Sequence, residues 1–231
     1  MFVLTGAGIS AESGIPTFRD DDGLWRRYRI EDVAMADSFA RNPGLVWTAI
    51  SEMRRKVEQA QPNSAHRALA QLEGRIGDWL FLCTQNVDDL HERGGSRWVV
   101  HLHGSVARSR CSRDGCGEAF LDSRAGLSPG DVERCRACGA PVRPDLVLFG
   151  EVPHELMRVH AALAVCDLFV AVGTSGAVEP AASFAAGLGR RPVPPRRVYV
   201  GPMAPHNAAD YDECRLGTAC EAMPNLFRVN E

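Results

Sequence analysis

Three apolar runs of strand length, each ending in glycine or in polar residues suited to a ligand, constrain the fold of this chain more than any other feature. They are Phe2 to Leu4, followed by Gly6-Ala7-Gly8; Trp79 to Thr84, followed by Gln85-Asn86-Val87-Asp88; and Cys166 to Val172, followed by Gly173-Thr174-Ser175-Gly176. Hydrophobicity that is continuous rather than alternating marks strands buried on both faces, as in a parallel sheet covered by helices. Helical patterns lie between these runs, from Pro43 to Gln59 and from Ala65 to Gly74, the second opened by the start signal Pro62-Asn63-Ser64. Trp98 to His103 and Arg197 to Val200 read as further short strands. The first turn suits a dinucleotide: glycines at 6 and 8 let backbone N–H groups approach a pyrophosphate, Ile9 to Ser13 resume as a helix start, and Ala11 completes a G-x-G-x-x-G/A spacing. Plain strand-to-helix punctuation is the alternative. Where an ordinary dinucleotide unit has a second strand ending in an acidic residue, Pro16 to Trp25 reads as a loop.

The eight cysteines divide the chain further. Cys111 and Cys116 form a C-x4-C pair and Cys135 and Cys138 a C-x2-C pair, with Gly115, Gly117 and Gly139 at the turns. Four thiolates satisfy tetrahedral zinc, and the binding energy can order a segment with little core of its own. Two disulfides are the alternative, disfavoured by the clustering and by the lack of a leader before Phe2, which together point to the cytoplasm. Cys83, Cys166, Cys214 and Cys220 read as buried or incidental thiols. The expected class is therefore α/β, a large Rossmann-like parallel sheet domain over 1–104 and 145–231, interrupted by a small inserted zinc-binding module with four cysteine ligands over 105–144. Arg108, Arg110, Arg113, Arg134 and Arg136 make a solvated basic face on that module, with nucleic-acid binding as the lesser alternative. A net charge of −3 recruits no nucleic acid globally. No apolar run of about 18 residues exists to cross a membrane.

From Gly6 the wording GAGISAESGIPTFRD, followed by GLW, resembles the opening motif of the sirtuins, the NAD-consuming protein deacylases. Its AES-x-x-P-T-F-R form is most like the branch that includes many bacterial members and the desuccinylases. TQN-V-D-x-LH from Thr84 to His91, the HG after Leu102, the FGE at Phe149 to Glu151 and Gly217-Thr218-Ala219-Cys220 extend the resemblance over essentially the whole chain. It implies that Gly6, Ala7, Gly8, Phe18, Arg19, Gly173, Thr174, Ser175 and Ala219 line an NAD site. It further implies that Gln85 and Asn86 contact the nicotinamide ribose, that Asp88 holds the nicotinamide carboxamide, and that His103 is the general base, with Asn86 its partner in catalysis. A bare H-x-H pair could be a metal pair or a core histidine; the resemblance gives the chemical role to His103 and leaves His101 structural. Val147, Phe149, Gly150 and Glu151 would offer a strand edge to an acyl-lysine peptide. Three positions depart from the family: Leu148 stands for tryptophan, Glu179 for tyrosine, and Tyr199 for the asparagine that holds the adenosine ribose.

On the helix from Pro43, the residues Leu45, Val46, Ala49, Ile50 and Met53 fall near helical spacing and read as a core stripe or the wall of an acyl pocket. Acidic-acyl relatives carry a tyrosine and, three residues on, an arginine; Ile50 and Met53 occupy those places here, and neither can pair with a carboxylate. Arg54 lies one residue away, about 100° around the helix. The expected activity is NAD-dependent removal of an acyl group from protein lysine, deacetylation favoured over desuccinylation, giving nicotinamide and O-acyl-ADP-ribose. A protein ADP-ribosyltransferase using the same pocket, and an NAD-sensing module without turnover, are the alternatives.

Overall fold

The computed structural model describes residues 1–17, 27–122 and 132–226. Among the described residues nine strands form two sheets: β1 (Phe2–Thr5), β2 (Phe81–Thr84), β3 (Val99–His101), β4 (Gly104–Cys111), β5 (Ala119–Leu121), β6 (Val142–Leu146), β7 (Leu168–Val172), β8 (Arg196–Gly201) and β9 (Glu213–Leu216). Six make a sheet in the order β3-β2-β1-β7-β8-β9, and every neighbouring pair in it is parallel. The other three make an antiparallel sheet in the order β5-β4-β6.

The continuous apolar runs are continuous because both faces of the large sheet are covered. Phe2 and Leu4 of β1 point into one core with Cys83, Phe169 and Tyr199, packed under Val159 and Leu163 of a helix at Leu156–Val165. Val3, between them, points into the opposite core with Leu82, Val170 and Val200, covered by Leu69 and Leu72 of the helix Ser64–Ile76 and by Met223 of the helix Ala219–Leu226. The helix at Ser64 begins as its sequence predicts, Asn63 capping it through the N–H groups of Ala65 and His66.

The helix Pro43–Gln59, called α1, packs instead on the small sheet. Its fully buried Trp47 donates from Nε1 to the Val142 carbonyl at 3.1 Å. Arg54, also buried, donates from Nε to the Val106 carbonyl at 2.5 Å, lies 3.4 Å from the Asp122 carboxylate and stacks over the Trp47 ring. Arg54 is thus committed to the small sheet. Trp98 to His103 is not one strand: β3 stops at His101, and His103 lies in the turn before β4.

Strand order reverses at the β1/β7 boundary, with β2 and β3 on one side and β8 and β9 on the other. Ligands bind beyond the carboxyl ends of strands at such a switch point. The two glycine turns meet there backbone to backbone: Gly6 N–H donates to the Val172 carbonyl and Gly8 N–H to the Gly173 carbonyl, each at 2.9 Å. Gly173 has φ +61°, and a Cβ on it would fall 2.6 Å from Ile9 N and 2.7 Å from Gly8 Cα. Gly173→Ala is therefore expected to cost roughly 2 kcal/mol or more, combining left-handed strain with a clash against main chain that no rotamer change relieves. Thermal denaturation should show the midpoint lowered by about 5 °C or more; an unchanged midpoint would mean that the two turns separate easily.

Candidate active site

A cavity of about 570 Å³ opens at this switch point and runs between the two sheets. Its floor is the glycine turns, Gly6, Ala7 and Gly8 with Gly173, Thr174 and Ser175; Gln85, Asn86, Asp88 and His103 form one wall. Ile50 and Met53 of α1, then Val147, Phe149, Gly150 and Glu151, form the wall toward the small sheet, and Ala219 closes the far end. Phe18 and Arg19 lie outside the described residues.

The first turn is built differently from a pyrophosphate loop. Gly6 and Gly8 direct their N–H groups at the β7 turn, so these glycines serve the close approach of two loops. The helix start expected at Ile9 to Ser13 is two single 3-10 turns, Ala7–Ile9 and Ala11–Ser13, the second ending at a left-handed Gly14. What the turn delivers to the cavity is Ser10, a residue that no sequence expectation had marked. Its Oγ donates to Asp88 at 3.0 Å and accepts from Asn86 Nδ2 at 3.1 Å, tying the two polar residues into one unit. A lone hydroxyl following two glycines at a strand end was the available signal. Below it, Thr5 donates to Thr84 at 2.8 Å and lies 2.9 Å from His91 Nε2, and Thr84 accepts from Asn86 N–H at 3.0 Å.

Burial raises the pKa of Asp88, against the opposing hydrogen bonds from Leu90 N–H and Ser10. Burial also drives His66 down to about 4 and His91 well below its ordinary value, so this layer is uncharged imidazole near neutral pH. The H-x-H pair separates cleanly. His101 is 2.7 Å from the Glu92 carboxylate and 3.1 Å from the Asn86 carbonyl; burial opposes its charge, but Glu92 outweighs burial and its pKa is raised. His103 instead faces the cavity with Nδ1 3.0 Å from the Gln85 carbonyl. A carbonyl accepts only, so Nδ1 carries the proton and Nε2 keeps a lone pair. Burial lowers the His103 pKa, which favours that neutral form at physiological pH.

The segment after β6 is more fully committed than a free strand edge. Phe149 N–H donates to the Ala34 carbonyl at 2.8 Å and its carbonyl accepts from Ala36 N–H at 2.9 Å, while Val147 N–H donates to the His103 carbonyl at 3.0 Å. Glu151 turns inward: Arg143 grips its carboxylate with two bonds of 2.6 and 3.2 Å, and Leu148 N–H adds a third at 2.9 Å. Its carboxylate holds the segment in shape. At the opposite end the Tyr199 hydroxyl reaches the Thr174 and Met203 carbonyls at 3.2 and 3.0 Å, bracing the β7 turn, and Glu179 lines the cavity beside it.

Outside the cavity, the sulfur atoms of Cys111, Cys116, Cys135 and Cys138 all lie within 4.8 Å of one another. Two of the separations are 3.4 and 3.7 Å, Cys111 to Cys138 and Cys116 to Cys135. Zn–S bonds of about 2.3 Å in a tetrahedron require edges of about 3.8 Å, so the set fits a zinc ion, and four thiolates leave it no open position for substrate. All eight cysteines are free thiols, so the disulfide alternative is not realised. Among the described residues no helix is long and apolar enough to cross a membrane.

A parallel α/β sheet with a cavity at its switch point, flanked by a four-thiolate metal centre, defines a nucleotide-binding fold joined to a structural metal module. A family model described as the Sir2 family matches residues 6–180. A protein of Salmonella typhimurium named NAD-dependent protein deacylase is 50% identical over 186 residues, covering 80% of this chain and 67% of that protein. The protein of the same name from Caulobacter vibrioides is 47% identical over 229 residues, covering 97% of this chain and 93% of the other. Among solved structures, a Sir2 homologue in complex with NAD superposes with a TM-score of 0.86 at 42% identity, covering 97% of this chain and 87% of that one. The chain belongs to the Sir2 family.

Proposed function

We propose that this protein is an NAD-dependent protein-lysine deacylase that favours acetyl and other neutral acyl groups over succinyl. The observation that carries the chemistry is His103: its Nδ1–H bond to the Gln85 carbonyl leaves Nε2 unprotonated toward the cavity, as a general base requires. NAD, consumed as co-substrate, would supply the ADP-ribosyl acceptor and lose nicotinamide; with one water consumed to free the lysine amine, the acyl group would leave as O-acyl-ADP-ribose. Asp88 and Asn86, locked together by Ser10, orient the nicotinamide carboxamide and its ribose, with Gln85 beside them. Gly6, Ala7, Gly8, Gly173, Thr174, Ser175 and Ala219, which line the cavity, would pack against the dinucleotide. His103 would take a proton from a ribose hydroxyl, and the surrounding walls would limit solvent to the single water that the reaction consumes.

The acyl-lysine chain enters past Val147, Phe149 and Gly150, with Glu151 as the brace of that segment. The metal site is a zinc module over 105–144 within a discontinuous larger unit, 1–104 and 145–231. A reducing cytoplasm, where thiolates stay free for metal, is the setting that suits it.

Acyl choice follows from α1. Ile50 and Met53 face the cavity, while Arg54 is held by Val106, Ser109 and Asp122, so it is not the cation an acidic acyl group would need. Burying a succinyl carboxylate against that wall leaves it desolvated without a partner, a cost of several kcal/mol. A longer neutral chain gains about 0.8 kcal/mol per buried CH₂. In direct competition between acetylated and succinylated forms of one peptide at limiting enzyme, read by mass spectrometry, the acetyl form is expected to be consumed at least about tenfold faster. Preferential loss of the succinyl form would overturn the acyl assignment. Labelled protein without O-acyl-ADP-ribose would favour ADP-ribosyl transfer instead.

A further inference from the structure

The side chain that caps the helix Ser64–Ile76 also reaches the turn that carries Ser10. Asn63 Oδ1 accepts from the helix, while its Nδ2 points the other way, donating to the Ile9 carbonyl at 2.8 Å and to Ser13 Oγ at 3.0 Å. The Ile9 carbonyl lies in the same rigid peptide plane as the Ser10 N–H, which donates to the Ala7 carbonyl at 3.1 Å. The plane from which the Ser10 side chain departs is thus held at both edges.

Little else fixes its tilt. Among the described residues, the main-chain hydrogen bonds made by Ile9 to Ser13 are to residues 6–15, within the turn and its flanks. The Ile9 side chain, buried in a core of the large sheet, sets where the turn begins but not how its carbonyl is aimed. Glu12 reaches out as well, accepting from Cys220 N–H at 3.2 Å, but from an exposed position two residues beyond Ser10. The same cap seats the His66 ring behind the turn, Nδ1 2.9 Å from Asn63 Oδ1 and Nε2 3.5 Å from Ser10 Oγ. Ser10 in turn holds Asp88 at 3.0 Å and Asn86 at 3.1 Å, and a shift of its Oγ by about half an ångström would take both out of hydrogen-bonding range.

We propose that Asn63 is a positioning residue for the NAD site: its side-chain amide aims the peptide plane before Ser10, and through Ser10 it sets Asn86 and Asp88. The proposal rests on the reading of Asn86 and Asp88 as the residues that orient the nicotinamide end of NAD. Helix capping alone would stabilise the chain without touching NAD affinity. The two roles use different atoms, Oδ1 for the cap and Nδ2 for the turn, so they can be separated.

The experiment is calorimetric titration of NAD into the wild-type chain, Asn63→Ser, Ser10→Ala and the double variant, with the ligand-free thermal midpoint of each. Serine keeps a capping oxygen for the helix but has no amide to reach the Ile9 carbonyl. Asn63→Ser should weaken NAD binding by about fivefold or more, the worth of one or two hydrogen bonds. Ser10→Ala should weaken it too, and adding Asn63→Ser to that chain should cost less than about twofold more, because the route to the site is already gone. Any fall in thermal midpoint caused through the helix should appear equally in both backgrounds. An affinity unchanged in Asn63→Ser or in Ser10→Ala, or lowered by Asn63→Ser by the same factor in both backgrounds, would overturn the proposal. Asn63→Asp, which keeps the cap and the length but not the donor, takes the place of the serine variant if that chain does not fold. If no acylated peptide is deacylated, the proposed function falls, and NAD binding, which needs no turnover, still decides the role of Asn63.

Discussion

His103→Ala is expected to abolish deacylation, lowering the rate by about 10² to 10⁴, the usual contribution of a positioned general base. The residue lies in the turn between β3 and β4, its ring oriented by the Gln85 carbonyl and its own carbonyl accepting from Val147 N–H. The side chain lines the cavity and is not part of the four-cysteine cluster. Zinc content and thermal midpoint should therefore stay close to wild type, which separates a chemical loss from a folding one. Steady-state assays with a saturating acetylated peptide and NAD test this, and retention of more than about a tenth of the rate would remove His103 from the role.

Cys135→Ser should produce the second large loss, in stability. Cys135 is buried and packs in one core with Val46, Trp47 and Ile50 of α1 and with Val106 and Val142 of the small sheet. A tetrahedral thiolate site with one ligand removed binds metal far more weakly, and where binding energy orders the segment, its loss is felt as unfolding. The same core carries Ile50, a wall of the cavity, so activity should fall with metal content. Metal analysis of the purified variant should give well under one zinc per chain, with a lowered thermal midpoint. One zinc per chain at an unchanged midpoint would place the metal elsewhere.

How much of this was legible in the sequence depended on whether the cause was local. The apolar runs at Phe2, Phe81 and Leu168 became the central parallel strands because each is buried on two faces, a property that leaves its mark in consecutive residues. The Pro43–Gln59 helix could be read to its ends, since Asn42 caps it and Pro43 opens it. The cysteine spacing likewise brought four thiols together. What stayed hidden depends on pairings between distant segments. Nothing near Gly8 says that its neighbour in space is Gly173, so the glycines read as phosphate contacts when their amides serve the opposite turn. Ser10 became visible only with Asn86 and Asp88 beside it, and Glu151 became a brace only with Arg143 in place.

The anchoring of Arg54 bears on how this scaffold can diversify. Its guanidinium and the Asp122 carboxylate are both nearly inaccessible, at 5% and 1% side-chain exposure. Turning α1 about its axis would strand that pair in an apolar setting, at a cost far above what one pocket contact returns. The azimuth of the helix is thus held by this pair as well as by the apolar contacts of Trp47 and Ile50. On the proposed acyl assignment, a tyrosine and an arginine substituted at positions 50 and 53 would enter the same wall on an unturned helix, with local repacking around position 50, where Ile50 is buried beside Trp47. On that assignment, closely similar chains would diverge in acyl specificity at two positions while sharing the buried pair that fixes the helix.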